Sequence, residues 1–211
     1  SNKFDDKSAV ELLGKRFEVS RNYFKLHACC RYNHAALDAL WKIIEQHSEV
    51  KNINQIKKIE VQSYNLAAEL NDQNPRNVLA CKFSIPFAIS TTLVNLDSGV
   101  LSFTEIMRTN KNIQNLCQKV TIVEDTTMTE KTPDLRPADV HVLMENGSTF
   151  KAQVTTNRGD WQDPYSEEEL KQKFISLTTR LWSQKKALNV YSKSIKLEKI
   201  PLDDLINSII N

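Results

Sequence analysis

Lys25, His27, Cys29, Cys30, Arg31 and His34 form the densest run of side chains able to do chemistry. Lys25 and Arg31 are cations suited to carboxylates or phosphates. A histidine such as His34, in the first turn of a helix, suits proton transfer. The run falls where a β-like stretch from Phe17 to Leu26, carrying Phe17, Val19, Tyr23 and Phe24, leads into a helix. A helix start presents N–H groups and a partial positive charge, which attract anions. Together these features can hold a polycarboxylate and move a proton beside it. Each also has a plainer reading. A lysine on a strand is usually solvated, a histidine at a helix start is often a cap, and adjacent cysteines are commonly small core fillers.

Other candidates carry less. Arg158, next to Gly159, could meet a carboxylate, but loop arginines are mostly solvated. Glu167, Glu168 and Glu169 read as the acidic first turn of a helix rather than a catalytic pair. His47 and His141 lack obvious partners and read as surface or strand residues. The four cysteines, Cys29, Cys30, Cys81 and Cys117, show no CxxC spacing; no metal site is expected, and a reducing cytoplasm fits. With four glycines in all there is no phosphate-cradling loop, and no serine nucleophile elbow occurs.

The elements that must position the cluster follow from periodicity and punctuation. Leu37, Leu40, Trp41 and Ile44, at spacings of three and four, predict a helix from His34 to about His47 with Asn33 as N-cap. Ile56 to Tyr64 reads as a strand. Ser84 and Pro86 start a buried helix, Pro86 to Leu96, that stops near Gly99. Ser102 and Glu105 are spaced as a capping box for a helix near Phe103, and a short helix covers Ile113 to Gln118. Val120 to Glu124 is a strand. Val140, Val142 and Met144 alternate into the Asn146-Gly147 turn, and Phe150 to Val154 returns as a hairpin. Ser166 and Glu169 form a second capping box for a long helix ending near Ala187. Pro201 opens a last helix through Leu202, Leu205, Ile206 and Ile209.

Four candidate strands without βαβ alternation predict an α+β fold with a largely antiparallel sheet and flanking helices. The chain has 211 residues, 40% hydrophobic and 26% charged, enough for one sizeable core with appendages. A net charge of +2 gives no reason to expect nucleic acid as a partner. No apolar run approaches the ~18 residues a membrane helix needs, and no secretory leader opens the chain. Ser1 and Asn2 stand where a starting methionine would be, which suggests a tag remnant or an internal start.

The run Lys25-Leu26-His27-Ala28-Cys29-Cys30-Arg31-Tyr32-Asn33-His34 resembles the lysine–x–tyrosine–proline–cysteine–cysteine–x–x–x–histidine signature of the MmgE/PrpD family. That family includes 2-methylcitrate dehydratase and cis-aconitate decarboxylase. Later stretches agree in order. Lys82-Phe83-Ser84-Ile85-Pro86-Phe87-Ala88 is similar to its phenylalanine–serine–leucine–proline–tyrosine helix start. Arg136-Pro137-Ala138-Asp139-Val140 leading to Glu145-Asn146-Gly147 is similar to its hairpin. Gly159 to Ser166, followed by Glu169-Leu170 and Lys173-Phe174, is similar to its glycine–x–x–x–x–proline–hydrophobic–serine loop and following helix.

The resemblance implies a lid-type α+β domain over residues 1–164. It implies C-terminal helices over 165–211 that would pack on a helical domain absent here. The family's active site lies between such domains, so this chain would be an incomplete enzyme alone. The implied chemistry is dehydration of a tricarboxylate such as 2-methylcitrate, as in propionate catabolism, in the cytoplasm, without metal or cofactor, in an enzyme that tends to be a homodimer. Lys25 falls on the signature lysine, expected to face carboxylates, and His34 on the signature histidine, a possible proton carrier; these are the catalytic candidates. Lys25, Cys30, Arg31 and Phe87 are the substrate-binding candidates. Cys30 stands where the decarboxylase branch has a histidine, which argues against decarboxylation. His27, Ala28 and Phe87 replace the family's aromatic residue, proline and tyrosine. Two alternatives stay open: a dicarboxylate isomerase, epimerase or cis-aconitate decarboxylase-like enzyme, and a non-catalytic carboxylate- or partner-binding domain.

Overall fold

The computed structural model describes Asp5, Lys7 and residues 10–210; Ser1 and Asn2 lie outside the described residues. The chain divides into two compact units, Ser1–Asp163 and Pro164–Asn211.

The first unit is α+β. Its sheet contains β1 (Ile56–Ser63), β2 (Val120–Glu124), β3 (Ala138–Met144) and β4 (Thr149–Val154), in the order β2-β1-β3-β4. β3 pairs antiparallel with both β1 and β4, while β2 runs parallel to β1. A parallel neighbour requires a long crossover. Here it is the helical stretch between β1 and β2, which includes α2 (Ile85–Asn95) and α3 (Lys111–Cys117).

Strand alternation decides which face is covered. Val140, Val142 and Met144 are buried, with Asp139, His141 and Leu143 half-buried between them. On β1, Ile56, Ile59 and Val61 are buried even though Ile56 and Ile59 are out of phase. A register shift between Ile56 and Lys58 restores the phase, as an extra residue in a strand does. α1 (His34–Gln46) lies against β3 and β4, and α2 lies against β2 and α1. Leu37, Leu40, Ile43, Ile85, Ile89 and Leu93 fill the layer between helices and sheet. Each such side chain contributes roughly 1.5–3 kcal/mol when fully buried. His47 stacks on Phe150, with ring centroids 4.4 Å apart, and His141 Nε2 lies 3.1 Å from Asp139 Oδ1.

Four local expectations are corrected. The β-like stretch at Phe17 to Leu26 forms no strand; Glu18–Arg21 is a 3-10 turn and Phe17, Val19 and Phe24 are exposed. Its alternation has no neighbouring strand to pair with among the described residues. Asn33 does not cap α1, because it already has helical angles at the end of the 3-10 turn Arg31–Asn33. Its Nδ2 donates instead to the Lys82 carbonyl at 2.9 Å.

The Ser102–Glu105 capping box is absent. Thr104 caps the helix Glu105–Arg108, while buried Ser102 donates to the Asp97 carbonyl and carboxylate at 2.8 and 2.9 Å. Finally, the long helix expected to reach Ala187 is two helices of the second unit, α4 (Glu167–Thr178) and α5 (Gln184–Ser194). Thr178 and Thr179 bond back to the carbonyls of Phe174 and Ile175 at 2.8 and 2.7 Å, and Ser183 starts α5 as its N-cap. Side chains of this kind compete with helix continuation at such positions.

Candidate active site

The signature stretch is held on both sides by backbone hydrogen bonds. Phe24 N–H donates to the Gly159 carbonyl at 3.0 Å, Ala28 N–H to the Ser98 carbonyl at 2.9 Å and Cys30 N–H to the Lys82 carbonyl at 2.8 Å. These bonds join the turn to the loop after β4, to the loop after α2 and to the short helix Val78–Lys82. The expected helix-start anion site is largely spent internally. Asn33 N–H donates to the Cys30 carbonyl and His34 N–H to the Arg31 carbonyl.

His27 is 5% exposed. Its Nδ1 lies 2.6 Å from Ser98 Oγ and its Nε2 3.0 Å from Asp38 Oδ1. The other Asp38 oxygen accepts from Arg158 N–H at 2.9 Å. His27 therefore ties the turn to α1, where an aromatic ring alone could only pack.

Arg31 is the second tie. Its Nη2 bonds Asp160 Oδ1, and its Nη1 donates to the Arg158 carbonyl at 3.2 Å and to His34 Nδ1 at 3.1 Å. The guanidinium also sits over the Tyr23 ring, 4.3 Å from its centroid. A planar guanidinium can make these contacts together, where an ammonium could not. Asp160 also accepts from Asn157 Nδ2 at 3.1 Å.

His34 is fully buried beneath this network. Its Nδ1 accepts from Arg31, so the proton sits on Nε2, which faces the Cys29 carbonyl at 3.4 Å. Burial, with help from the adjacent His27 ring and the Arg31 charge, pushes its pKa down to about 2. The His27 and His34 rings meet edge-on, 5.0 Å apart. Burial likewise pushes the Cys29 thiol up to about 12.

The remaining candidates occupy different settings. Lys25 is half-buried and has no hydrogen-bonding or carboxylate partner among the described residues. Cys30 is half-buried one step along from Cys29. Phe87 lies in the core of α2 and packs on Phe103, with ring centroids 6.0 Å apart. The structure thus brings Arg31 and His34 into contact, places Lys25 and Cys30 nearer the surface, and puts Phe87 in the interior. It adds Asp38, Ser98, Asn157 and Asp160, which sequence reasoning passed over. Asp160 lies 129 positions from Arg31, and no local pattern announces a pair at that separation. Among the described residues no group of three or more histidine, cysteine, aspartate or glutamate side chains is arranged to hold a metal ion. No helix among them is long and apolar enough to cross a membrane.

A family model described as the MmgE/PrpD C-terminal domain matches residues 27–197. No curated protein matches the chain.

Proposed function

The chain belongs to the MmgE/PrpD family, as a C-terminal portion of a dehydratase-like or related enzyme, and from that premise we propose that it supplies the carboxylate-holding half of a hydro-lyase site for a tricarboxylate such as 2-methylcitrate. The single observation that carries this reading is Lys25. It is a half-buried cation with no carboxylate partner among the described residues, on a turn made rigid by the His27–Asp38 and Arg31–Asp160 contacts. A positive group held in place without a counter-charge is what a carboxylate substrate needs.

Dehydration breaks a C–H bond next to a carboxylate and a C–OH bond on the neighbouring carbon, leaving an alkene and water. The negative charge that develops as the proton leaves is stabilised by donors already in place. Lys25 takes this role. Arg31 is a positioning residue, since its guanidinium is committed to Asp160, Arg158 and His34. His34, neutral and covered, positions Arg31 rather than carrying the proton. The base is then expected from the helical domain that the family resemblance implies. Leu202, Ile206, Ile209 and Ile210 of α6 (Leu202–Ile210) are exposed. They support the further proposal that the second unit packs on such a domain, since exposed apolar faces of this kind mark interaction surfaces.

Isothermal titration of the chain with citrate, beside Lys25→Ala, tests the reading. Removing a charge-assisted contact is expected to weaken binding about tenfold or more. Identical titration curves for the two proteins would sink the role given to Lys25.

A further inference from the structure

We infer that Ser98 is a positioning residue for Lys25: the loop after α2 clamps the turn that carries this lysine and so fixes where its charge is presented to a carboxylate. The clamp stands on hydrogen bonds; its consequence for ligand binding rests on the carboxylate role proposed above for Lys25.

Ser98 meets two consecutive residues of the turn. Its carbonyl accepts the Ala28 N–H at 2.9 Å, and its Oγ lies 2.6 Å from His27 Nδ1. The other ring nitrogen sets the direction of the second bond. His27 Nε2 faces the Asp38 carboxylate at 3.0 Å. An ionised carboxylate only accepts, so Nε2 carries the proton of the neutral ring. Nδ1 is then the acceptor and the Ser98 hydroxyl the donor. Lys25 lies inside a bracket made by these bonds. Before it, Phe24 N–H donates to the Gly159 carbonyl at 3.0 Å; after it, His27 and Ala28 are held by Ser98. Only Leu26 separates Lys25 from the clamp.

The Ser98 loop is itself braced. Leu96 takes a left-handed φ of 50° as α2 ends. The Asp97 carboxylate accepts from Gly99 N–H at 3.1 Å and from Ser102 Oγ at 2.9 Å. The Ser102 carbonyl accepts in turn from Thr91 Oγ1 of α2 at 2.9 Å. Ser98 therefore sits between two residues tied to each other, in a loop stitched back onto α2. Asp38 of α1 fixes the other side of the His27 ring, and its second oxygen takes the Arg158 N–H at 2.9 Å. His27 is thus the joint at which α1 and the loop after α2 meet the Lys25 turn. His27, Asp38 and Ser98 are 5, 8 and 8% exposed, and a buried polar atom that loses its partner carries the full desolvation cost. A cation on a backbone already fixed gives up less freedom on meeting a carboxylate than one on a mobile turn.

The test combines hydrogen exchange of the full chain, resolved to the Ala28 amide by NMR, with citrate titration in a double-mutant cycle. Ser98→Ala removes the bond to His27 and leaves the Ser98 carbonyl in place. His27→Gln breaks the same bond while keeping a donor for Asp38, and serves as the second variant. Either change is expected to speed Ala28 exchange severalfold and to weaken citrate binding severalfold when Lys25 is present. Combined with Lys25→Ala it is expected to add little, because its effect passes through Lys25. A merely structural loss would weaken both backgrounds by the same factor. Unchanged Ala28 exchange overturns the clamp, whether or not citrate binds. Faster exchange with equal losses in the two backgrounds overturns the positioning role. Faster exchange in a chain that takes up citrate no better with Lys25 than without it removes the carboxylate role of Lys25, and the positioning role with it, while the clamp stands.

Discussion

At the scale of single residues, the candidate site is governed by burial of groups that sequence alone presents as reactive. His34 is the clearest case. Its proton would have to displace the Arg31 hydrogen bond in a space closed to water, so the native state stays neutral down to a pKa of about 2 while an unfolded chain takes up the proton near 6.5. The sign follows from linkage. A histidine whose folded pKa is depressed contributes stability that is fully present above the unfolded value and is lost as pH falls below it. Between pH 6.5 and pH 5 this one group is expected to remove roughly 2 kcal/mol. Urea unfolding at both pH values, with wild type beside His34→Gln, checks this. The variant should lose less stability over that interval, and equal losses would show that His34 is protonated in the folded protein. The Arg31–Asp160 pair belongs to the same class. Both side chains are nearly closed to solvent, and a pair of this kind is better understood as fixing a geometry than as a source of net stability.

At the scale of elements, turn and cap chemistry decides where strands and helices stop. The β3–β4 hairpin is closed by Glu145–Ser148, with Gly147 N–H donating to the Met144 carbonyl at 3.0 Å and Met144 N–H to the Ser148 carbonyl at 2.8 Å. Gly147 has φ +87°, and nothing lies near the space a Cβ would occupy. The cost of Gly147→Ala is therefore backbone strain alone, expected at about 1–2 kcal/mol. A thermal unfolding midpoint equal to wild type would show that the turn relaxes into another form. On α4 the capping box is complete: Glu169 N–H donates to Ser166 Oγ at 3.3 Å, and Ser166 N–H donates to Glu169 Oε2 at 2.9 Å. Ser166→Ala is expected to cost about 1 kcal/mol, read as lower helical ellipticity or a lower unfolding midpoint of the chain. No change in either would mean that α4 is held by its packing rather than by its cap.

At the scale of the whole molecule, the thiols report whether the first unit opens as one body. Cys29, Cys81 and Cys117 are buried, and burial pushes their thiols up to about 12, 12 and 11. Only Cys30 is half-buried. Alkylation at pH 8 resolved by mass spectrometry should therefore modify Cys30 first. The other three should follow together across the urea transition, because buried groups in one cooperative unit are exposed together. Early reaction of Cys81 would show that the short helix Val78–Lys82 opens on its own. Much of this architecture was already legible in local pattern. Period-two alternation placed β3 and the Asn146-Gly147 turn placed the return of β4, each within a residue or two, and period-three-and-four spacing placed α1. Ser84 with Pro86 marked the start of α2, and the ordered signature stretches pointed to the family. These are properties of neighbours along the chain, so the sequence by itself determined them. Only the tertiary structure decided that Phe17 to Leu26 finds no strand to pair with, that His34 is sealed behind Arg31, and that Asp160 rather than a ligand holds that guanidinium. The physical reason is common to all of these. Burial and ion pairing depend on which distant segments share a site, and the energy that selects the pairing appears only when the chain closes around it.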